Sequence, residues 1–153
     1  MTTASAEAEV RARLDAWAKA TRAGDLDAIM ANYAQDVRAF DAMGVLEFVG
    51  AAAYREHWKT CLSYMNGPMK FEMHKLEVAV QADIAFCHYL VNCGGTGLDG
   101  QEHDGWTRAT VCLRKIGGKW LVVHEHFSAP FDPESGKAVF DLKPDSVTQA
   151  SAA

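Results

Sequence analysis

The four cysteines of this 153-residue chain, Cys61, Cys87, Cys93 and Cys112, form no CxxC pair, and no HExxH run occurs. Reduced structural thiols fit that spacing better than a zinc site or a disulfide framework, so no metal is expected. No stretch approaches the ~18 consecutive apolar residues that a membrane span needs. The opening MTTASAEAEV has neither a basic region nor an apolar core, so it does not read as a secretion signal, and a cytoplasmic location is expected. Lys and Arg total 15 against 20 Asp and Glu, a net charge of −5 with no basic stripe. That balance argues against nucleic acid as a partner. The one glycine-rich run, GGTGLDG, follows a strand without opening a helix, so it reads as a hairpin loop and no cofactor is expected.

What is present suits one packed unit. Apolar residues make up 49% of the chain and charged residues 23%, a globular proportion that excludes a disordered or fibrous class. A single domain over residues 1–153 is expected, with an ordered core at about 6–143 and a frayed tail at 144–153. Residues 6–23 carry a helical stripe of Val10, Leu14, Trp17 and Thr21, with Ser5 as N-cap and Gly24 as stop. Asp25 caps a second helix, LDAIMANYA, that buries Leu26, Ile29, Met30 and Tyr33. Residues 37–43 alternate as a short strand, and LEFVG follows as another. Gly50 opens a third helix with Tyr54, His57, Trp58, Cys61 and Met65 on or near one face, and Asn66-Gly67-Pro68 ends it.

From Met69 the period changes to two. One long strand runs to Gln81, with Phe71, Met73, Lys75, Glu77 and Ala79 against Glu72, His74, Leu76, Val78 and Val80. A second strand, IAFCHYLVNC, follows the turn at Asp83. The last two strands, HDGWTRATVCLRKI and KWLVVHEHFS, flank Gly117-Gly118, whose freedom to take positive φ suits a tight hairpin. Strict alternation groups Trp106, Arg108, Thr110 and Cys112 with Trp120, Val122, His124, His126 and Ser128. A face that begins apolar and ends in Arg, His, His and Ser reads as the wall of a cavity. Period two leaves open which face is inside; the other choice puts Arg108 on the outer face, beside Glu125 or a partner subunit. Three helices followed by long neighbouring antiparallel strands make an α+β cone, the helices packed on a strongly curved sheet that encloses a pocket.

The runs RAGDLDAIMANYAQDVRAFDAMG, REHW and GGKWLVVHEHFS resemble the nuclear transport factor 2-like, or cystatin-like, superfamily, within it the SnoaL-like and ketosteroid-isomerase-related proteins. The resemblance covers residues 10–131. Aligned through AGDLD, it places the isomerase's general-base aspartate on Asp41. A carboxylate in a largely apolar pocket is a better proton acceptor, because its charged form is disfavoured. The same alignment puts Trp17 where the isomerase has an oxyanion-hole tyrosine and Thr110 near its carboxylic acid, so that oxyanion hole is not retained. Arg108 or His126 would then serve as the electrophile, if they point inward. Trp17, Tyr33, Trp58, Trp106, Thr110 and His124 complete the expected ligand-binding set.

Plainer readings stand beside these. Asp41 equally suits a turn before Ala-Met-Gly, and the tryptophans equally suit a core. His124 and His126 have chelating spacing but no third ligand beyond His103, so structural or pocket-lining histidines are favoured. The expected function is proton transfer, of isomerase, cyclase or dehydratase type, on a small carbonyl or acidic organic molecule. The alternative is a ligand-binding or oligomeric association domain without turnover, like the hub domain of calcium/calmodulin-dependent kinase. A homodimer through the outer sheet face is expected in either case.

Overall fold

The computed structural model describes residues 2–145. Helix α1 spans Thr3–Ala23 and buries Val10, Leu14, Trp17, Ala18 and Thr21, the stripe its sequence carries. Its cap is Thr2 rather than Ser5: the Thr2 side chain accepts from the Ser5 N–H. At the other end Gly24 takes φ 66, which lets its N–H reach back to the carbonyls of Ala20 and Thr21. Helix α2, Leu26–Met30, is shorter than its sequence suggests. Tyr33 is therefore not helical but opens strand β1, Tyr33–Phe40. The two-residue β2, Phe48–Val49, leads into helix α3, Ala51–Ser63, which buries Tyr54 and Trp58. Four long strands follow: β3 Met65–Gln81, β4 Ile84–Gly97, β5 Glu102–Ile116 and β6 Lys119–Ser128.

These strands form one sheet in the order β2-β1-β6-β5-β4-β3. It is mixed rather than wholly antiparallel, because β1 lies parallel to β6. The long excursion between them, which carries α3 and four strands, permits that parallel return. Helix α1 packs against the inner face of β3, and α3 closes over β1. Gly117 and Gly118 turn the last hairpin with φ 56 and 78.

Two irregularities decide which side chains face the helices. In β3 the register slips between the pairs His74–Leu90 and Glu77–His88, and Lys75 adopts φ 56 there. Phe71 and Met73 point inward before that bulge, and Leu76, Val78 and Val80 after it. In β6, Leu113 pairs with Val122 while Cys112 pairs with His124, leaving Val123 as the extra residue. Trp120 and Val122 are inward before this bulge, and Glu125 is inward after it. Along β5 the buried residues are Thr107, Ala109, Val111 and Leu113. Strand β5, and β6 after its bulge, therefore turn to the core the face opposite to the one strict alternation favoured, while Trp120 and Val122 stay inward. Trp106, Arg108, Thr110, His124, His126 and Ser128 lie on the outer side.

Beyond β6 the chain stays attached. Phe131 bridges to Ala138, the Trp106 N–H donates to the Phe140 carbonyl at 2.7 Å, and the Lys75 ammonium donates to the Pro144 carbonyl. The expected fraying at 144–153 otherwise concerns 146–153, outside the described residues. Close approach is also enforced at Gly94: a Cβ built there would lie 1.8 Å from the His103 carbonyl oxygen and 2.6 Å from the Asp104 Cα. Gly94→Ala must therefore push β4 and β5 apart. Urea unfolding should show a loss of about 3 kcal/mol or more; an unchanged midpoint would mean that the strands do not approach this closely.

Candidate functional site

Helix α3 supplies one wall of the site. Tyr54, His57, Trp58 and Cys61 fall at i, i+3, i+4 and i+7, so all four project to the same side. That stripe faces the end of β1, where Asp41 follows the last strand residue, and the inward stretch of β6 that carries Glu125. Three dissimilar stretches of chain thereby bring two carboxyl groups, two phenols and an imidazole together.

Glu125 is the more deeply buried of the two carboxyls, with 1% of its surface exposed. The Tyr33 hydroxyl donates to its two oxygens at 3.0 and 3.1 Å, and the Tyr54 hydroxyl contacts Oε1 at very short range. Burial raises its carboxyl to about 8, and the nearby Asp41 charge pushes the same way, against the lowering effect of the two tyrosine hydrogen bonds. Glu125 is thus a neutral acid at neutral pH. The phenols of Tyr33, Tyr54 and Tyr89 are driven well above the usual range, first by burial and then by the Glu125 charge.

Asp41 sits nearer the surface, its side chain 15% exposed. Its Oδ1 accepts from the Met43 N–H at 3.1 Å, while Oδ2 lies 3.2 Å from both the Tyr54 hydroxyl and His57 Nε2. His57 is stacked on Phe48 at 4.2 Å between ring centroids, which holds its imidazole in place. The same Nε2 is 3.5 Å from Cys61 Sγ. Cysteine, histidine and aspartate in a row suggest a nucleophile, but two facts oppose it. Both contacts use one ring nitrogen, so the imidazole cannot bridge acid and thiol in the usual way. Burial, reinforced by Asp41, also pushes the Cys61 thiol up to about 12, so it is not a thiolate.

Asp41 borders a cavity of about 470 Å³ between the sheet and α3. Trp58, Tyr64, Met65, Met69, Phe71, Phe127 and Phe140 supply most of its wall, and Cys61, Thr107, His103 and Asp104 its polar atoms. Among the described residues no lysine or arginine lines it. Phe140 arrives from the segment after β6 and covers Gly105; a Cβ at Gly105 would lie 2.9 Å from the Phe140 Cβ. Asp41, Ala42 and Met43 also border a second hollow, on the outer side, with Phe40 and His126.

The residues singled out in the sequence are thus divided. Asp41 and Trp58 line the cavity. Tyr33 stands behind it, bonded to Glu125, and Trp17 lies deeper in the core, edge-on to Trp58 and Phe71 at 5.9 and 5.0 Å. Arg108, Thr110, His124, His126 and Trp106 point outward and do not reach the cavity. The Arg108 Nε donates to Ser128 Oγ at 3.2 Å, His124 Nδ1 lies 2.8 Å from the Arg38 carbonyl oxygen, and Trp106 packs edge-on against His74. For His124 and His126 the Val123 bulge is the reason, since one extra residue reverses every side chain after it; β5 alternates without a break and buries Thr107, Ala109, Val111 and Leu113, so Trp106, Arg108 and Thr110 face out. The bulge also concealed Glu125, which strict alternation places outside. His57 was not among the expected site residues, although its i, i+3, i+4, i+7 companions on α3 were already a signal. Among the described residues no cluster of three or more His, Cys, Asp or Glu suits a metal ion.

A SnoaL-like domain profile matches residues 10–132. The chain belongs to the SnoaL-like domain family. An NTF2-like protein of unknown function from Pseudomonas putida KT2440 is 47% identical, with 94% of this chain and 99% of that one covered and a TM-score of 0.85. A ketosteroid isomerase-like protein from Erwinia carotovora atroseptica SCRI1043 is 22% identical over 80% of this chain and 94% of that one, with a TM-score of 0.69. The association domain of C. elegans CaMKII is 16% identical over 82% and 97%, with a TM-score of 0.65. At those identities the last two show the fold alone. No curated protein matches the chain at a significant level. Within this SnoaL-like fold, helices on a six-stranded mixed sheet that does not close, the carboxyl pair is a feature of the chain's own residues.

The burial of Glu125 has a thermodynamic consequence. Its folded-state pKa of about 8 exceeds the ordinary 4.5, so between those values the folded chain binds more protons than the unfolded chain. Stability then falls as pH rises through that window, by about 1.4 kcal/mol per pH unit from this group. In Glu125→Gln the amide keeps a donor and an acceptor but cannot ionise. The difference between wild-type and variant unfolding free energies should follow that slope and level off above about pH 8. Parallel curves would show that Glu125 does not hold its proton.

Proposed function

We propose that the cavity binds a small, neutral, largely apolar organic molecule carrying a carbonyl group, and that Asp41 is the general base that moves a proton on it. The observation that carries this reading is the position of Asp41. Its carboxylate borders an otherwise greasy hollow and is steadied by Met43, Tyr54 and His57, so it is held in place to accept a proton. An acidic ligand is disfavoured, because Arg108 lies outside and the lining carries no lysine or arginine. The proton accounting closes within the site. Asp41 takes a proton from the carbon next to the carbonyl, the electron pair passes into an enolate, and the proton returns at another carbon (isomerisation) or leaves with a departing hydroxyl (dehydration).

The test uses exchange rather than a known substrate. Neutral cyclic ketones incubated with the protein in D2O should gain deuterium beside the carbonyl, followed by NMR. Asp41→Asn should slow that exchange by on the order of 10²–10⁴-fold while melting and ketone uptake stay unchanged. Equal exchange in the variant removes Asp41 as base. Uptake without exchange in the wild type favours the second reading, a ligand-binding module without turnover. The lack of a lysine or arginine in the lining, among the described residues, supports that alternative, because an enolate formed there has no permanently charged partner.

A second copy is expected against the outer sheet face, where Ile84 and Phe86 are 65% and 51% exposed. Sedimentation should give a homodimer, and substituting both residues by serine should shift it toward monomer. A wild-type monomer at all concentrations ends this expectation and the association reading together.

A further inference from the structure

The Tyr54 hydroxyl has one proton and two carboxyl neighbours. Its oxygen is 3.2 Å from Asp41 Oδ2 and closer still to Glu125 Oε1. One O–H donates along one direction, so the second contact is a hydrogen bond only if the other partner donates into the phenol's lone pair. Among the two carboxyls, only a protonated one can do so. Two ionised carboxylates would leave one short oxygen–oxygen contact without a proton, in a place that water does not reach.

Which carboxyl holds the proton follows from their surroundings. Asp41 accepts from the Met43 N–H, has His57 Nε2 at 3.2 Å and is partly open to the cavity. Glu125 is closed on every side. From β1 it meets Tyr33, and Asp41 just past that strand's end; from α3 it meets Tyr54, with His57 one contact further. From β4 it meets the electrostatic influence of Tyr89 and Cys87, and from β5 the apolar Val111 stands opposite. None of these groups is a cation in contact with it, and Tyr33 is its remaining hydrogen-bond donor. The charge therefore resides on Asp41.

We propose that Glu125 is the positioning residue of this site: as a neutral acid it donates to Tyr54, Tyr54 donates to Asp41, and the chain holds the two carboxyls at a single negative charge located at the cavity. The inference rests on the reading of Asp41 as the base and deepens it. A neutral Glu125 orients the Tyr54 proton toward Asp41, and so orients the Asp41 carboxylate without adding a second charge behind it. When Asp41 takes a proton from a ligand, Glu125 keeps its own, and the pair goes from one proton to two and back over a reaction cycle. Above about pH 8 Glu125 ionises, the single Tyr54 proton must serve two carboxylates, and Asp41 loses the bond that steadies it.

Carboxyl-carbon NMR titration of the whole chain tests this without any substrate. In the wild type, Glu125 should read as a neutral acid and Asp41 as a carboxylate at neutral pH, and raising the pH through about 8 should move both carbons in one step. In Glu125→Gln that step should disappear from Asp41. In Tyr54→Phe it should shrink on Asp41 while persisting on Glu125, with the near-UV spectrum reporting that the fold is kept. If Tyr54→Phe does not fold, the wild type and Glu125→Gln still decide. An Asp41 carbon that ignores the Glu125 step, or a Glu125 already ionised at neutral pH, overturns the proposal. Asp41→Asn leaving ketone exchange intact would instead overturn the base assignment while the coupled titration stood, so the two failures are distinguishable.

Discussion

The single extra residue at Val123 is the constraint on which the site depends. In a sheet with one face against helices, every inward position is shared between packing and chemistry, and the pleat allows only alternate residues there. Trp120 and Val122 use two such positions to pack the core. Without the bulge the next ones would be His124 and His126, two polar rings in a greasy layer. With it, Glu125 and Phe127 turn inward, the first to meet Tyr33 and Tyr54 and the second to line the cavity. The bulge in β3 acts in the same sense, because it keeps Phe71, Met73, Leu76, Val78 and Val80 on the helix side of a strand whose strict alternation would split them.

Burying a carboxyl group is costly unless it is neutral or well bonded. This chain uses both remedies. Glu125 is kept protonated by its burial and is bonded by two phenols, while the charge moves outward to Asp41, where backbone and imidazole help to hold it. The result is a cavity bordered by the anchored Asp41 carboxylate, with Asp104 also in its lining and, among the described residues, no lysine or arginine there. Arg108 and His126, expected as electrophiles if they pointed inward, stand with His124 on the far side of the sheet, away from the cavity.

Much of the architecture was legible beforehand for a local reason. Helix stripes such as Val10, Leu14 and Trp17, the Asp25 cap, the Gly24 stop and the Gly117-Gly118 turn each depend on a few neighbouring residues. The α3 stripe, with Trp58 on it, could be found in the same way, whereas Asp41 came from the resemblance to ketosteroid-isomerase-related proteins. Tyr33 was placed on a helix because LDAIM continues smoothly into ANYA, yet the Asn32 side chain bonds back to the Ala28 and Ile29 carbonyls and ends the helix there.

By itself, the sequence determined the order of helices and strands, the apolar stripes of the helices and the α+β class. Tertiary structure alone decided that β1 runs parallel to β6, which face of the last hairpin is inside, and that Glu125 shares Tyr54 with Asp41. The physical reason is that side-chain direction along a strand is set by pairing with a neighbour, and a one-residue slip in that pairing leaves no mark in composition or period. Partners 71 residues apart, as Tyr54 and Glu125 are, meet only when the whole sheet has closed over the helix.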